Sequence, residues 1–189
     1  MESKRFWDFV FELGQLRRIK HEGWRLIGVE HPESVADHSL RVAQIAFVLA
    51  HLEGDADPFE TAVIGLFHDI GECRIGDVHR VASRYVTRDE ARAVQEQTER
   101  LDDDIGQKIF GLWKQAEERS TKAGTIAKDA DYLEQAAMAK EFIEKGHAHA
   151  QGWVNNIAVA LRTESAKKML AEIVNSNSND WWQGLKKLT

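Results

Sequence analysis

Asp57-Pro58-Phe59-Glu60-Thr61-Ala62-Val63-Ile64-Gly65-Leu66-Phe67-His68-Asp69-Ile70-Gly71-Glu72 is the stretch that decides the fold class. Asp57 reads as an N-cap, Pro58 takes the first helical position, where a missing N–H costs nothing, and Glu60 follows in the first turn. The spacing predicts a helix from Pro58 to about Ile70, closed by Gly71. His68 and Asp69 then fall in its last turn, and Glu72 lies just beyond. Toward the N-terminus, Ser34 with Asp37 in the reciprocal position of a capping box starts a helix from Val35 to about Leu52. That helix is expected to bury Val42, Ile45, Phe47, Leu49 and Leu52, with His38 in its first turn. Phe6, Trp7, Val10, Leu13, Leu16 and Ile19 recur at three- and four-residue steps and predict a first helix from Ser3 to Ile19.

Toward the C-terminus, Cys73 to Val86 reads as an irregular connection turning at Gly76-Asp77. Thr87-Arg88-Asp89-Glu90 caps a helix to about Leu101, another covers Asp103 to Ser120, and a long Ala-rich one covers Thr121 to Lys145. Shorter helices follow over Trp153 to Leu161 and Ser165 to Val174, before a Trp181-Trp182 tail. Only two prolines interrupt 189 residues, and no period-2 alternation of β-branched residues persists. The predicted fold is all-α, a compact helical bundle. A chain of this length supports one well-buried core, so residues 1–189 are expected to form a single domain.

The net charge of −6 argues against general binding of nucleic-acid polymers, which needs a basic surplus, but allows a small phosphorylated substrate. Cys73 is the single cysteine, which excludes an internal disulfide and suits a reducing compartment. No apolar stretch approaches membrane-spanning length, and the N-terminus opens no signal peptide, so no membrane partner and a cytoplasmic location are expected.

Three separated segments carry candidate chemistry: His38, the His68-Asp69 doublet, and Lys128-Asp129-Ala130-Asp131. Two imidazoles and two carboxylates form a reasonable ligand set for one divalent metal ion. A His near a helix start is more often a cap, and a His-Asp pair is often just a hydrogen bond in the core. An acid on an Ala-rich helix needs a partner too, however, and one cation satisfies every group. Asp129 and Asp131 point roughly 200° apart on a helix, so only one of them can face the site. Glu72 and Asp77 are candidate general acid-base carboxylates at its mouth, although solvated carboxylates of this kind are common. Arg18, with Arg17 and Lys20, offers positive charge for a phosphate, and Trp24 offers an aromatic wall. Of the remaining histidines, His79 and His31 are placed nearest the pocket, and His21, His51, His147 and His149 at the surface.

The order His38, His68-Asp69, Asp131 resembles the H…HD…D signature of the HD-domain metal-dependent phosphohydrolases. Gly23-Trp24, Pro32-Glu33-Ser34-Val35-Ala36-Asp37-His38-Ser39, His68-Asp69-Ile70-Gly71-Glu72 with Gly76-Asp77, and Lys128-Asp129-Ala130-Asp131-Tyr132-Leu133-Glu134 resemble its 5′-deoxynucleotidase branch. The resemblance spans about residues 5 to 145. It implies an HD-domain bundle with a core over about residues 30–145 and C-terminal helices packed on it over 150–189. It further implies one divalent ion (Mn, Co, Zn, Ni or Mg), a homodimer, and hydrolysis of deoxynucleoside 5′-monophosphates. Carried over by motif, His38, His68, Asp69 and Asp131 are metal ligands, Glu72 and Asp77 catalytic carboxylates, and Trp24 a wall of the substrate pocket. Some bacterial members have Arg directly before that Trp. Gly23 stands there in this chain, so the contact is expected from Arg18 or Lys20. A nucleoside triphosphate hydrolase of the same superfamily and a catalytically silent metal-stabilised module are the competing expectations.

Overall fold

The computed structural model describes residues 3–185. Among the described residues it has nine α-helices, short 3-10 turns between them, and one isolated antiparallel bridge from Lys20 to Ser34. The helices are α1 (Ser3–Leu13), α2 (Val35–Glu53), α3 (Pro58–Phe67), α4 (Glu72–Ile75), α5 (Glu90–Thr98), α6 (Asp103–Glu118), α7 (Lys122–Glu144), α8 (Gln151–Ala160) and α9 (Glu164–Asn175). The all-α expectation is borne out.

The central element is α7. It packs against α2, α3, α6, α8 and α9 and is therefore covered on nearly every side. Its Ala123, Ala127, Ala130, Ala136 and Ala139 are buried, so small side chains let several neighbours approach at once. The largest apolar cluster joins Val42, Ala46 and Leu49 of α2 to Leu133 and Phe142 of α7, Val154 and Ile157 of α8, and Leu170 of α9. A second joins Phe9, Ile70, Val94, Leu101, Ile109 and Trp113. Both C-terminal helices thus pack on α7.

Local sequence explains how the segments start. The Ser34–Asp37 box forms as read: Ser34 Oγ accepts the Asp37 amide at 3.2 Å and Asp37 Oδ2 accepts the Ser34 amide at 3.0 Å. Asp57 accepts the Phe59 amide with Pro58 at the first helical position. Gly65 lets α3 lie close on α2, since a Cβ there would stand 3.2 Å from the Ala43 backbone. This close crossing brings His68 alongside His38.

Several details differ from expectation. The predicted first helix stops at Leu13 and tightens into a 3-10 turn over Gly14–Arg17. Helix α3 ends at Phe67 rather than near Ile70, because residues 68–71 wind into tighter turns that lead into α4, with Ile70 N bonded to Phe67 O and Cys73 N to Ile70 O. Gly71 keeps an ordinary right-handed conformation. Its lack of a side chain serves instead a close approach, for a Cβ would lie 2.7 Å from Glu90 Cγ and 3.0 Å from Val94. Within the predicted capping stretch Thr87-Arg88-Asp89-Glu90, the cap of α5 is Asp89, which accepts the Arg92 amide. Phe47 and Leu52 face outward, because α2 gives α7 a narrower stripe of Val42, Ala46, Leu49 and Ala50.

Asp129 is fully buried and ties three elements together. It pairs with Arg119 at the end of α6, and its Oδ2 accepts the Arg162 amide at 3.0 Å and the Thr163 amide at 2.7 Å between α8 and α9. Removing one partner of a buried pair leaves the other charged and dry. Asp129→Ala is therefore expected to lower unfolding stability by about 3–5 kcal/mol in a urea titration. A loss below about 1 kcal/mol would contradict this role.

Candidate metal centre

Four donor atoms converge where α2, the turn after α3 and α7 meet. His38 Nε2 lies 3.3 Å from His68 Nε2, 3.2 Å from Asp131 Oδ1 and 3.6 Å from Asp69 Oδ2. His68 Nε2 lies 3.1 Å from Asp69 Oδ2 and 3.9 Å from Asp131 Oδ1. His38, His68 and Asp131 are buried, and Asp69 is partly so.

The other ring nitrogens decide what these atoms are. His68 Nδ1 meets the Gly65 carbonyl at 2.7 Å, and a carbonyl only accepts, so Nδ1 carries the hydrogen. His38 Nδ1 meets Glu134 Oε2 at 2.5 Å, and Glu134 is in turn held by Arg41 Nε at 2.7 Å. Each neutral ring thus presents an Nε2 lone pair to the other and to two carboxylates. Acceptors facing acceptors need a shared positive charge, and oriented imidazoles backed by a carbonyl and a carboxylate are how proteins build metal ligands. The donor set fits a divalent ion.

In the metal-free protein, protons do that work. Burial alone would push the His38 pKa down, but Asp131 and Glu134 outweigh it and raise it well above the usual imidazole value. His68 is raised in the same manner by Asp69 against burial. Burial likewise opposes ionisation of Asp131, yet Lys128 and the two imidazoles hold its pKa well below the usual range. Lys128 Nζ sits 2.9 Å from Asp131 Oδ2, and the Gln135 amide donates to Asp131 Oδ1 at 2.7 Å. Asp131, not Asp129, faces the cluster.

Glu72 is buried at the start of α4 with Oε2 lacking a hydrogen-bond partner. Burial, with help from the charges of Asp69, Asp77 and Glu90, pushes its pKa up to about 10. Asp77 is partly buried, and its Oδ2 accepts the Glu22 amide at 2.6 Å, which ties the loop after α4 to the segment before α2.

A cavity of about 420 Å³ opens beside the cluster, within the range of small-molecule sites. Asp131, Lys128, Asp77, His79 and Trp24 line it, as expected for Trp24, Asp77 and His79. Trp24 contributes little surface, being 2 % exposed. Arg18 is exposed, bonds to the Gly14 carbonyl and is absent from the lining; Lys128 and Arg80 are the cations there. His31 is exposed and also outside the lining, whereas His21, read from sequence as a surface residue, lines the cavity. Its ring packs 4.3 Å from that of His38, because His21 N bonds to Glu33 O and Val35 N to Ile19 O, which lays the segment along the start of α2. Glu134 and Arg41 were not singled out by sequence either. Glu134 stands one helical turn after Asp131, a signal visible only once Asp131 is known to face the site.

A family model described as HD domain matches residues 13–174. The chain is 30% identical to the 5′-deoxynucleotidase HDDC2 of Xenopus laevis over 161 residues, 82% of this chain and 79% of that protein. The human 5′-deoxynucleotidase HDDC2 is also 30% identical, over 74% of this chain and 69% of its own. A crystal structure from a genomics project superposes with a TM-score of 0.80 at 30% identity, covering 95% of this chain and 99% of its own.

His38, His68 and Glu72 all hold protons more tightly in the folded state than unfolded. A folded-state pKa raised above the unfolded value gives stability that is present at low pH and lost as pH rises through the folded pKa. Chelator-stripped protein should therefore melt at progressively lower temperature as pH rises from about 6.5 to 9. A melting temperature that rises over that interval would contradict the proton-holding cluster.

Proposed function

Because the chain belongs to the HD-domain family, we propose that it is a metal-dependent 5′-deoxynucleotidase, hydrolysing deoxynucleoside 5′-monophosphates to deoxynucleoside and phosphate. The observation that carries this reading is the convergence of four acceptor atoms beside a cavity that also holds the cation Lys128. His38 Nε2, His68 Nε2, Asp69 and Asp131 would hold one divalent ion, with Mn, Co, Zn, Ni and Mg as the candidates. Such an ion supplies Lewis acidity at phosphorus and a more acidic bound water.

The remaining work belongs to side chains. Lys128, fixed by Asp131, binds a phosphate oxygen in the role that Arg18 was expected to fill. Glu72 moves the proton: burial raises the pKa of its carboxyl, and no hydrogen bond occupies its Oε2. Asp77 spends one oxygen on the Glu22 amide, so it positions the mouth of the cavity and offers the other oxygen to a sugar hydroxyl. Trp24 backs the pocket wall from the core.

Residues 1–189 act as one domain, and two copies associate through the outer face of α2 and α3. Leu40, Leu52 and Leu66 are exposed there, beside an edge-to-face pair of Phe47 and Phe59 with centroids 5.5 Å apart, apolar surface that a lone protein rarely displays. A single partly buried cysteine, with its thiol pushed up to about 11 by burial, suits a cytoplasmic location.

The test is phosphate release from nucleoside mono-, di- and triphosphates after metal stripping and readdition of each divalent ion. Monophosphate turnover should vanish on stripping and return with metal. Release of pyrophosphate or tripolyphosphate instead would overturn the assignment in favour of triphosphate hydrolysis. Glu72→Gln should retain stoichiometric metal and lose about 10²–10⁴-fold in kcat, while Asp69→Asn should lose both metal and turnover.

A further inference from the structure

The cavity is chemically lopsided. Helix α7 contributes Lys128 and Asp131 and the loop after α4 contributes Asp77, His79 and Arg80, while the wall formed by α8 contributes Gly152, Trp153, Asn156, Ile157 and Ala160 and no ionisable group. Trp153 stacks on Trp24 with ring centroids 4.9 Å apart and 30° between planes, and Trp24 packs edge-on against Phe142 of α7 at 5.1 Å. Trp24 is buried by this arrangement, whereas Trp153 stays partly open and lines the cavity. Gly23 lies against the stack: a Cβ at that position would meet Trp153 Cζ2 at 3.6 Å, an ordinary contact, so a side chain reaching beyond Cβ would compete for the indole's space. Trp153 thus occupies the room that the missing side chain at position 23 leaves.

A ligand matching this cavity has an anionic head and a flat, uncharged, aromatic body. We propose that Trp153 is the stacking platform for the nucleobase, and that α8 with Gly23 forms the base subsite of this chain. The inference rests on the nucleotide reading above and extends it to a helix in the C-terminal quarter of the chain. An indole already stacked on Trp24, which Phe142 holds in turn, loses little freedom when a base settles on it, and stacking suits any base because each has a π face.

The test compares dAMP with 1,2-dideoxyribose 5-phosphate, which carries the same phosphomonoester and no base, using full-length metal-loaded enzyme. The wild type should prefer dAMP in kcat/KM, and Trp153→Ala should collapse that preference roughly 10- to 100-fold, mainly through KM for dAMP. Trp153→Phe should recover most of it. Gly23→Val, which displaces the indole without deleting it, should lower the same ratio and serves if Trp153→Ala does not fold. A ratio unchanged in both variants, or equal loss on both esters, would overturn the subsite and leave Trp153 a packing residue. If the wild type hydrolyses neither ester, the nucleotidase reading fails separately. Calorimetric titration with deoxyadenosine then decides: binding weakened at least about tenfold by Trp153→Ala supports the subsite, and no binding to the wild type overturns it.

Discussion

Two imidazole nitrogens that can only accept cannot face each other at 3.3 Å, flanked by two carboxylates, without a positive charge among them. The arrangement is enforced from behind. The Gly65 carbonyl fixes one ring, and the Arg41–Glu134 pair fixes the other, so neither histidine can turn its lone pair away. Arg41 also reaches Glu141 at 2.8 Å, which anchors the pair along α7. The centre is thus braced for a cation by the packing of three helical segments, and the cost of burying four polar groups is met only when that cation, or protons in its place, is present.

Helix α7 is the beam on which both fold and site depend. It carries three buried carboxylates, and each points to a different task. Asp129 secures α6 and the α8–α9 junction, Asp131 faces the centre, and Glu134 orients His38. Because α8 is held to the same helix that supplies Asp131, the apolar cavity wall and the charged cavity floor are fixed relative to one another. This links packing in the C-terminal quarter to recognition at the metal centre.

Much of this was legible in the sequence where chemistry is local. The Ser34–Asp37 box and the Asp57-Pro58 start name their helices because a cap is satisfied within four residues. The ordered His38, His68-Asp69 and Asp131 blocks marked the centre. What stayed hidden depends on neighbours distant in sequence. Helix α7 is covered nearly all round, so it has no apolar stripe from which the directions of Asp129 and Asp131 could be read. Arg18 stands close to Trp24 in sequence but turns to its own turn's carbonyl, while Lys128, next to a candidate ligand, supplies the cavity's cation. His21 and Trp153 reach the cavity only through the path of the chain, one by the strand-like pairing of its neighbour Lys20 with Ser34 and the other by packing on Trp24. Phe47 and Leu52 share helical spacing with the true core positions and differ only in being at the stripe's edge.

The most direct test of the account is calorimetric titration of the chelator-stripped protein with Zn²⁺ in two buffers of different ionisation enthalpy. Saturation at one ion per chain with net proton release is the predicted result, because the ion displaces protons that His38 and His68 hold in its absence. Absence of saturable binding, or binding that is undiminished in Asp131→Ala, would contradict the metal centre on which the rest depends.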